Sequence, residues 1–125
     1  MTEAELKQRT KQSALRILKL VGALPRTTEG RALGAQLVRS GTPVGANYRA
    51  ACRGRSKAEF ISKLGTVEEE ADESAYWMEL IIAGGLLQKP RVAPLHQEAC
   101  ELTAIMAASR ISTSGRQIAN RKSKI

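Results

Sequence analysis

The sequence predicts an all-α protein, an up-down-up-down bundle of four helices whose second helix is kinked near Pro43. Three observations carry that reading. Apolar residues recur three and four positions apart in four separate stretches. Prolines and a glycine pair punctuate the boundaries between those stretches. No segment alternates β-branched and polar residues between turn signals, so no strand competes. A chain of 125 residues is long enough to bury one real core. The bundle is expected over residues 1–115, and residues 116–125 read as a basic, mobile tail. With four aromatic residues in all, aliphatic side chains and alanine must do most of the packing.

The first helix opens at Thr2, which has capping-box spacing to Glu5. Leu6, Ser13, Ile17, Leu20, Val21 and Leu24 share one face, and Pro25 ends the element because the residue before proline avoids the α region. Thr27 or Thr28 caps the second helix, with Leu33, Leu37, Val44, Tyr48 and Cys52 toward the core and Gly54 at its end. Pro43 inside it lacks an N–H and clashes with the carbonyl four residues back, a cost of roughly 3 kcal/mol in a regular helix. The helix must therefore kink or split there, with the Ser40 and Thr42 hydroxyls available to the freed backbone groups. Ser56 and Glu59 form a second capping box and start the third helix, where Phe60, Leu64, Val67, Ala71, Met78 and Ile82 make the clearest stripe in the chain. Gly84-Gly85 stops it, Pro90 and Pro94 bracket a linker, and the fourth helix uses Leu95, Leu102, Ile105 and Met106 before fading near Ser112–Gly115.

Charge is unevenly placed along the chain. Residues 1–57 carry +9, residues 58–106 carry −6 and residues 107–125 carry +5, for a net +8. Such asymmetry points to nucleic acid or an acidic partner, or to helices that attract one another by opposite charge. On a helical wheel Arg31, Arg39, Arg49 and Arg53 fall within an arc of about 80° beside the apolar face, and Arg55 and Lys57 extend the row into the next turn. Guanidinium groups grip phosphate in bidentate fashion and stay charged, so this ridge is a candidate phosphate-binding surface, with Arg116, Arg121, Lys122 and Lys124 of the tail as a second. The bland alternative pairs the ridge with the acidic side of the third helix, where Glu68, Glu69, Glu70, Asp72, Glu73 and Glu79 lie. Gly34, Gly41 and Gly45 read as a surface of close helix contact; their spacing fits no phosphate loop.

Tyr76, Trp77 and Leu80 fall away from the third helix's core stripe, and Leu15 and Leu18 fall off that of the first. Aromatic anchors are enriched in interfaces, so these five residues predict self-association; the alternative is a core wide enough to take them in. Cys52 and Cys100 are far apart, without a CxxC pair, and read as buried thiols of a reducing compartment rather than a disulfide. The charged N-terminus shows neither a signal peptide nor a membrane span, so a cytoplasmic location is expected. His96, the only histidine, has no metal-ligand cluster at the usual spacing. No cofactor, metal site, small-molecule substrate or enzymatic activity is expected.

Over residues 9–110 the sequence resembles the 23S ribosomal RNA intervening-sequence proteins. The resemblance rests on Gln36–Ser40, Gly45–Arg49, Ser56–Phe60 and Glu70–Trp77, with Arg9–Pro25 similar to that family's first helix. It implies a cytosolic bacterial four-helix bundle assembled as a ring-like pentamer. It also implies partners: RNA or DNA, or, through distant similarity to accessory proteins of diversity-generating retroelements, a polymerase or a ribosomal component. No catalytic residue is implied. The sequence departs from the family pattern at Pro43, and at Glu68-Glu69, which makes the third helix more acidic and turns nucleic acid away from it. The functional expectation is a non-enzymatic, oligomeric bundle that binds the nucleic-acid backbone through its basic ridge. The alternative is a protein-interaction scaffold or accessory subunit with no direct contact to nucleic acid.

Overall fold

The computed structural model describes residues 1–123, with side chains described through residue 115. Five helices follow in order: α1 (Glu3–Gly22), α2 (Thr28–Gly41), α3 (Pro43–Cys52), α4 (Lys57–Ala83) and α5 (Lys89–Ser123). α2 and α3 are the two halves of one kinked leg, so the architecture is the expected four-legged bundle. α1 packs on α2, α3 and α5, and α4 packs on the same three, while the backbones of α1 and α4 stay more than 8 Å apart among the described residues. They therefore stand on one diagonal of the bundle.

The ends of the helices follow from local chemistry. Thr2, Thr27 and Ser56 each accept the amide of the residue three positions on, at 3.1 Å in every case. Each thereby satisfies one of the amides that a helix start leaves without an internal partner. Pro43 sits at the first position of α3, where a missing N–H costs nothing, so the chain splits the leg and avoids the interior penalty. The Thr42 hydroxyl donates to the Val38 carbonyl at 2.7 Å, but that carbonyl also accepts the Thr42 amide at 3.2 Å, so the hydroxyl does not serve the group that Pro43 frees. Gly85 takes a φ of 70°, the left-handed turn that lets the chain leave α4.

Two expectations about the last helix are corrected. Pro90 and Pro94 do not bracket a linker; both lie within α5, which begins at Lys89. Pro90 needs no intrahelical donor so close to the start, and Val92 and Leu95 are buried on either side of Pro94 and hold that turn to the core. Nor does the helix fade at Ser112–Gly115, since it runs on to Ser123.

The core has two apolar halves. The upper one is built around Ile17, Leu37, Met78, Ile81 and Val92. The lower one is built around Leu6, Tyr48, Leu64, Val67 and Met106. Thr10, Ser13, Ser40 and Ser74 are buried with them. Ser40 Oγ and Ser74 Oγ are 2.9 Å apart, and Ser74 and Thr10 each also donate to the carbonyl one turn back at 2.8 Å. At this level α1 and the kinked leg pack closely. A Cβ on Gly41 would lie 2.3 Å from Ile17 Cδ1, and one on Gly45 would lie 3.1 Å from Thr10 Oγ1. The predicted glycine contact surface is present, with Gly34 against Val21 and Leu24 as its upper member.

Gly30 and Gly22 give a paired test of this geometry. A Cβ on Gly30 would lie 2.0 Å from the Pro25 carbonyl oxygen, whereas one on Gly22 meets nothing within 4 Å. Gly30→Ala is expected to destabilise by about 1–3 kcal/mol, because rigid backbone must move. Gly22→Ala is expected to stabilise by about 0.5–1 kcal/mol through helix propensity alone. Thermal unfolding followed by circular dichroism checks both signs.

Candidate nucleic-acid interface

The six cations of the sequence-predicted ridge are all exposed. They do not form one row. Arg39 leans toward α4, donating to Gln36 Oε1 at 2.8 Å and forming an ion pair with Glu73. Arg49, three turns on and beyond the break, turns the other way and lines a groove between α1 and α3. That groove has a volume of about 580 Å³, and Lys7, Gln8, Lys11, Thr42 and Arg49 contribute its polar rim. Arg53, Arg55 and Lys57 continue from Arg49 around the turn into α4. Arg31 lies at the opposite end of the leg, beside Arg26, in a smaller groove of about 320 Å³. Arg116, Arg121 and Lys122 belong to the last turns of α5, beyond the described side chains, and Lys124 lies outside the described residues.

Lys7 and Lys11 were not among the sequence-derived candidates, and the structure places them opposite Arg49. The reason is Gly45. Without a Cβ it lets α3 close onto Thr10, so cations one turn away on either helix share one groove. A second basic groove of about 570 Å³ lies on the other flank of α1, where Arg16, Lys19 and Arg91 meet.

The α4 carboxylates are mostly engaged elsewhere. Glu68 accepts from Arg110 Nε at 2.8 Å, Glu70 from Asn47 Nδ2 at 2.7 Å, Glu73 binds Arg39, and Glu79 lies 3.0 Å from His96 Nε2. Arg9 of α1 forks onto Glu98 of α5 at 2.7 and 2.6 Å, which raises the guanidinium pKa further. Lys7 pairs with Glu3 one turn back at 3.0 Å. Among the described residues, the side chains of Lys11, Arg31, Arg49, Arg53, Arg55 and Lys57 form no ion pair. Arg39 alone realises the bland alternative for the ridge.

The expectation of two buried thiols is corrected: both are free, but Cys52 is only half-buried and Cys100 is exposed. Partial desolvation still pushes both thiols upward, Cys52 beside Tyr48 and Cys100 next to His96, whose Nε2 is 3.8 Å from Sγ. Neither is the activated thiolate that nucleophilic chemistry needs. Among the described residues no group of three or more His, Cys, Asp or Glu is placed to hold a metal ion. No helix among them is long and apolar enough to cross a membrane. Of the five residues expected to mediate self-association, Leu15, Leu18 and Tyr76 are exposed and Leu80 is half-buried. Trp77 turns inward and packs on the upper core, with Tyr76 edge-on to it at 5.3 Å between ring centres.

The profile of the 23S rRNA-intervening sequence protein family matches residues 2–108. The chain belongs to that family. The solved structures include a protein of unknown function from the S23 ribosomal protein family of Bacteroides thetaiotaomicron, which is 29% identical to this chain. The alignment covers 88% of this chain and 98% of that one, with a TM-score of 0.81. No curated protein matches. The family assignment and the bundle expected from the sequence therefore agree with the structure.

Glu70 supplies a pH test of the α3–α4 contact. Burial raises its pKa, against the opposing hydrogen bond from Asn47. A carboxyl whose folded pKa lies above its unfolded value binds protons more tightly when folded, so stability falls as pH rises through that window. Glu70→Gln keeps an acceptor for Asn47 and removes the titration. The variant is expected to gain stability relative to the parent at neutral pH and to lose that advantage below the ordinary carboxylate range, as read from thermal unfolding at both pH values.

Proposed function

We propose that this protein is a non-enzymatic, self-assembling bundle that binds the phosphate backbone of RNA or DNA. The contact surface is the α1–α3 groove together with the turn from Arg53 to Lys57. One observation carries the reading. Lys11, Arg49, Arg53, Arg55 and Lys57 gather toward one end of the bundle without a carboxylate partner among the described residues, while most α4 carboxylates are held by neighbouring helices. Cations that pair internally are spent on the fold; cations left exposed and clustered create a field that attracts polyanions. The family's association with an intervening sequence of 23S rRNA makes RNA the first candidate. Phe60, Tyr48 and Trp77 are wholly or partly buried in the core, so few aromatic rings are free to stack on bases. Backbone contact with weak sequence preference follows.

A second reading has its own support. The outer side of α4 presents Tyr76 beside the exposed, unpaired carboxylates Glu69 and Asp72, which suits a protein partner better than a nucleic acid. Both surfaces can serve one protein, because they lie on different legs.

Titration of a fluorescent single-stranded RNA against salt tests the proposal. Affinity should fall steeply as salt rises, with a log–log slope of roughly −0.7 per phosphate neutralised. Replacing Arg49, Arg53 and Arg55 together by Ser should reduce that slope by roughly two while leaving the helical content unchanged. Arg39→Ser should change it least, since Glu73 already holds that guanidinium. Binding that ignores salt, or that survives the triple replacement intact, contradicts the assignment.

A further inference from the structure

Arg9 of α1 faces Glu98 of α5, and Glu101 lies 3.3 Å from the same guanidinium. The two helices run in opposite directions. Seven residues on from Arg9 stands Arg16, and seven residues back from Glu98 stands Arg91. Seven residues make about two turns, roughly 10 Å, and return to the same face of a helix. The rung that is cation to anion at Arg9 and Glu98 is therefore cation to cation two turns higher. Arg16 and Arg91 do line one groove, of about 570 Å³, and Lys19 joins them as a third cation.

Among the described residues nothing neutralises this upper rung. Arg16, Lys19 and Arg91 are exposed and form no ion pair there. The groove lining includes no carboxylate. The two carboxylates of α5, Glu98 and Glu101, are both taken by Arg9. The start of α5 adds to the imbalance: it holds Lys89 and Arg91 and no acidic residue in its first turn, where the helix dipole favours negative charge. Like charges gathered across a helix contact repel, and an anion seated between them turns that repulsion into attraction.

The shape of the groove suits a compact ligand. From Lys7 to Arg16 is nine residues, about two and a half turns, so this groove and the α1–α3 groove occupy opposite flanks of α1. They share no lining residue. The α1–α3 groove leads on to the exposed run from Arg49 to Lys57, a track for a polymer. The α1–α5 groove leads down instead to Glu98 and Glu101, which turn a polyanion back. Its floor is apolar, formed by the buried Leu20 and Leu95 beside the exposed Pro94. Small-molecule sites combine such a floor with a few convergent polar groups, in volumes of about 300–1,000 Å³.

We propose that the α1–α5 groove binds a phosphorylated small molecule of the nucleotide type. Its phosphates sit between the guanidinium groups of Arg16 and Arg91 with Lys19 alongside, and its ring system lies on the floor of Leu20, Pro94 and Leu95. The lining offers no carboxylate, imidazole, thiol or hydroxyl, which suits binding and not turnover. A ligand so placed ties α1 to α5 across a rung that otherwise repels. The inference goes beyond the nucleic-acid reading and is independent of it, because that reading uses the cations of the other groove.

Isothermal titration calorimetry of the full chain with ATP at low salt tests it, with circular dichroism as the fold control. ATP should bind, inorganic pyrophosphate should bind more weakly, and adenosine should not bind. Arg16→Ser/Arg91→Ser should weaken ATP by about tenfold or more. Without ligand that variant should unfold no lower than the parent, since the repulsion is relieved. Arg26→Ser/Arg31→Ser removes the same charge outside the groove and should leave ATP affinity unchanged, as should the triple replacement of Arg49, Arg53 and Arg55. A parent that does not bind ATP overturns the proposal. So does an equal loss in the variants outside the groove, which would reduce binding to net charge. Single-stranded RNA that displaces ATP from the parent, and itself binds Arg16→Ser/Arg91→Ser less tightly, would assign the groove to a polymer and also overturn the proposal.

Discussion

The structure depends on the close approach of α1 to the kinked leg at the waist of the bundle. Gly45 lies on Thr10 and Gly41 under Ile17, with no side chain of their own to hold the helices apart. Buried hydroxyls cost stability unless they are hydrogen-bonded, and three of those here have partners: Ser40 with Ser74, and Thr10 and Ser74 with carbonyls of their own helices. The break at Pro43 falls between the two glycines. It allows α3 to start afresh, turning Arg49 toward α1 while Arg39 turns toward α4. One local event thus divides the core into two halves and divides the cations into those that brace the fold and those that line a groove.

The sorting of charge follows from that arrangement. α4 has direct polar contacts to every neighbouring leg: Arg39 on α2, Asn47 on α3, and His96 and Arg110 on α5. Exposed pairs of this kind are worth about 0–1 kcal/mol each, so their effect on stability is small. Their effect on the surface is larger. They neutralise most of the acidic helix and leave Glu69 and Asp72 on one outer face, while the α1–α3 side keeps its positive field. The family assignment explains why the bundle recurs; the charge sorting is what gives this chain a surface suited to a polyanion.

Much of the fold was legible because helix ends and faces are local properties. Thr2, Thr27 and Ser56 cap where their spacing to the next amides requires, and Leu64, Val67, Ala71 and Met78 are buried where their period puts them. Pro43 marked the break for the same reason. The errors came from contacts between distant residues. Val92 and Leu95 anchor a helical turn around Pro94 only through the packed core, which sequence spacing does not reveal. The inward turn of Trp77 and the diversion of Arg39 to Glu73 depend on which leg lies alongside. Half of the candidate groove was missed likewise: Lys7 and Lys11 join Arg49 only because Gly45 permits the approach, a fact of tertiary register. The glycine spacing signalled a close contact but did not name its partner.

The central claim is that nucleic acid tracks the α1–α3 groove and avoids α4, and ultraviolet cross-linking to a photoreactive single-stranded RNA, mapped by mass spectrometry, tests it most directly. The account predicts cross-linked peptides containing Lys7, Lys11 and the stretch from Arg49 to Lys57, with none from the Glu68–Leu80 side of α4. Cross-links concentrated on that acidic face, or spread evenly over the bundle, would contradict it.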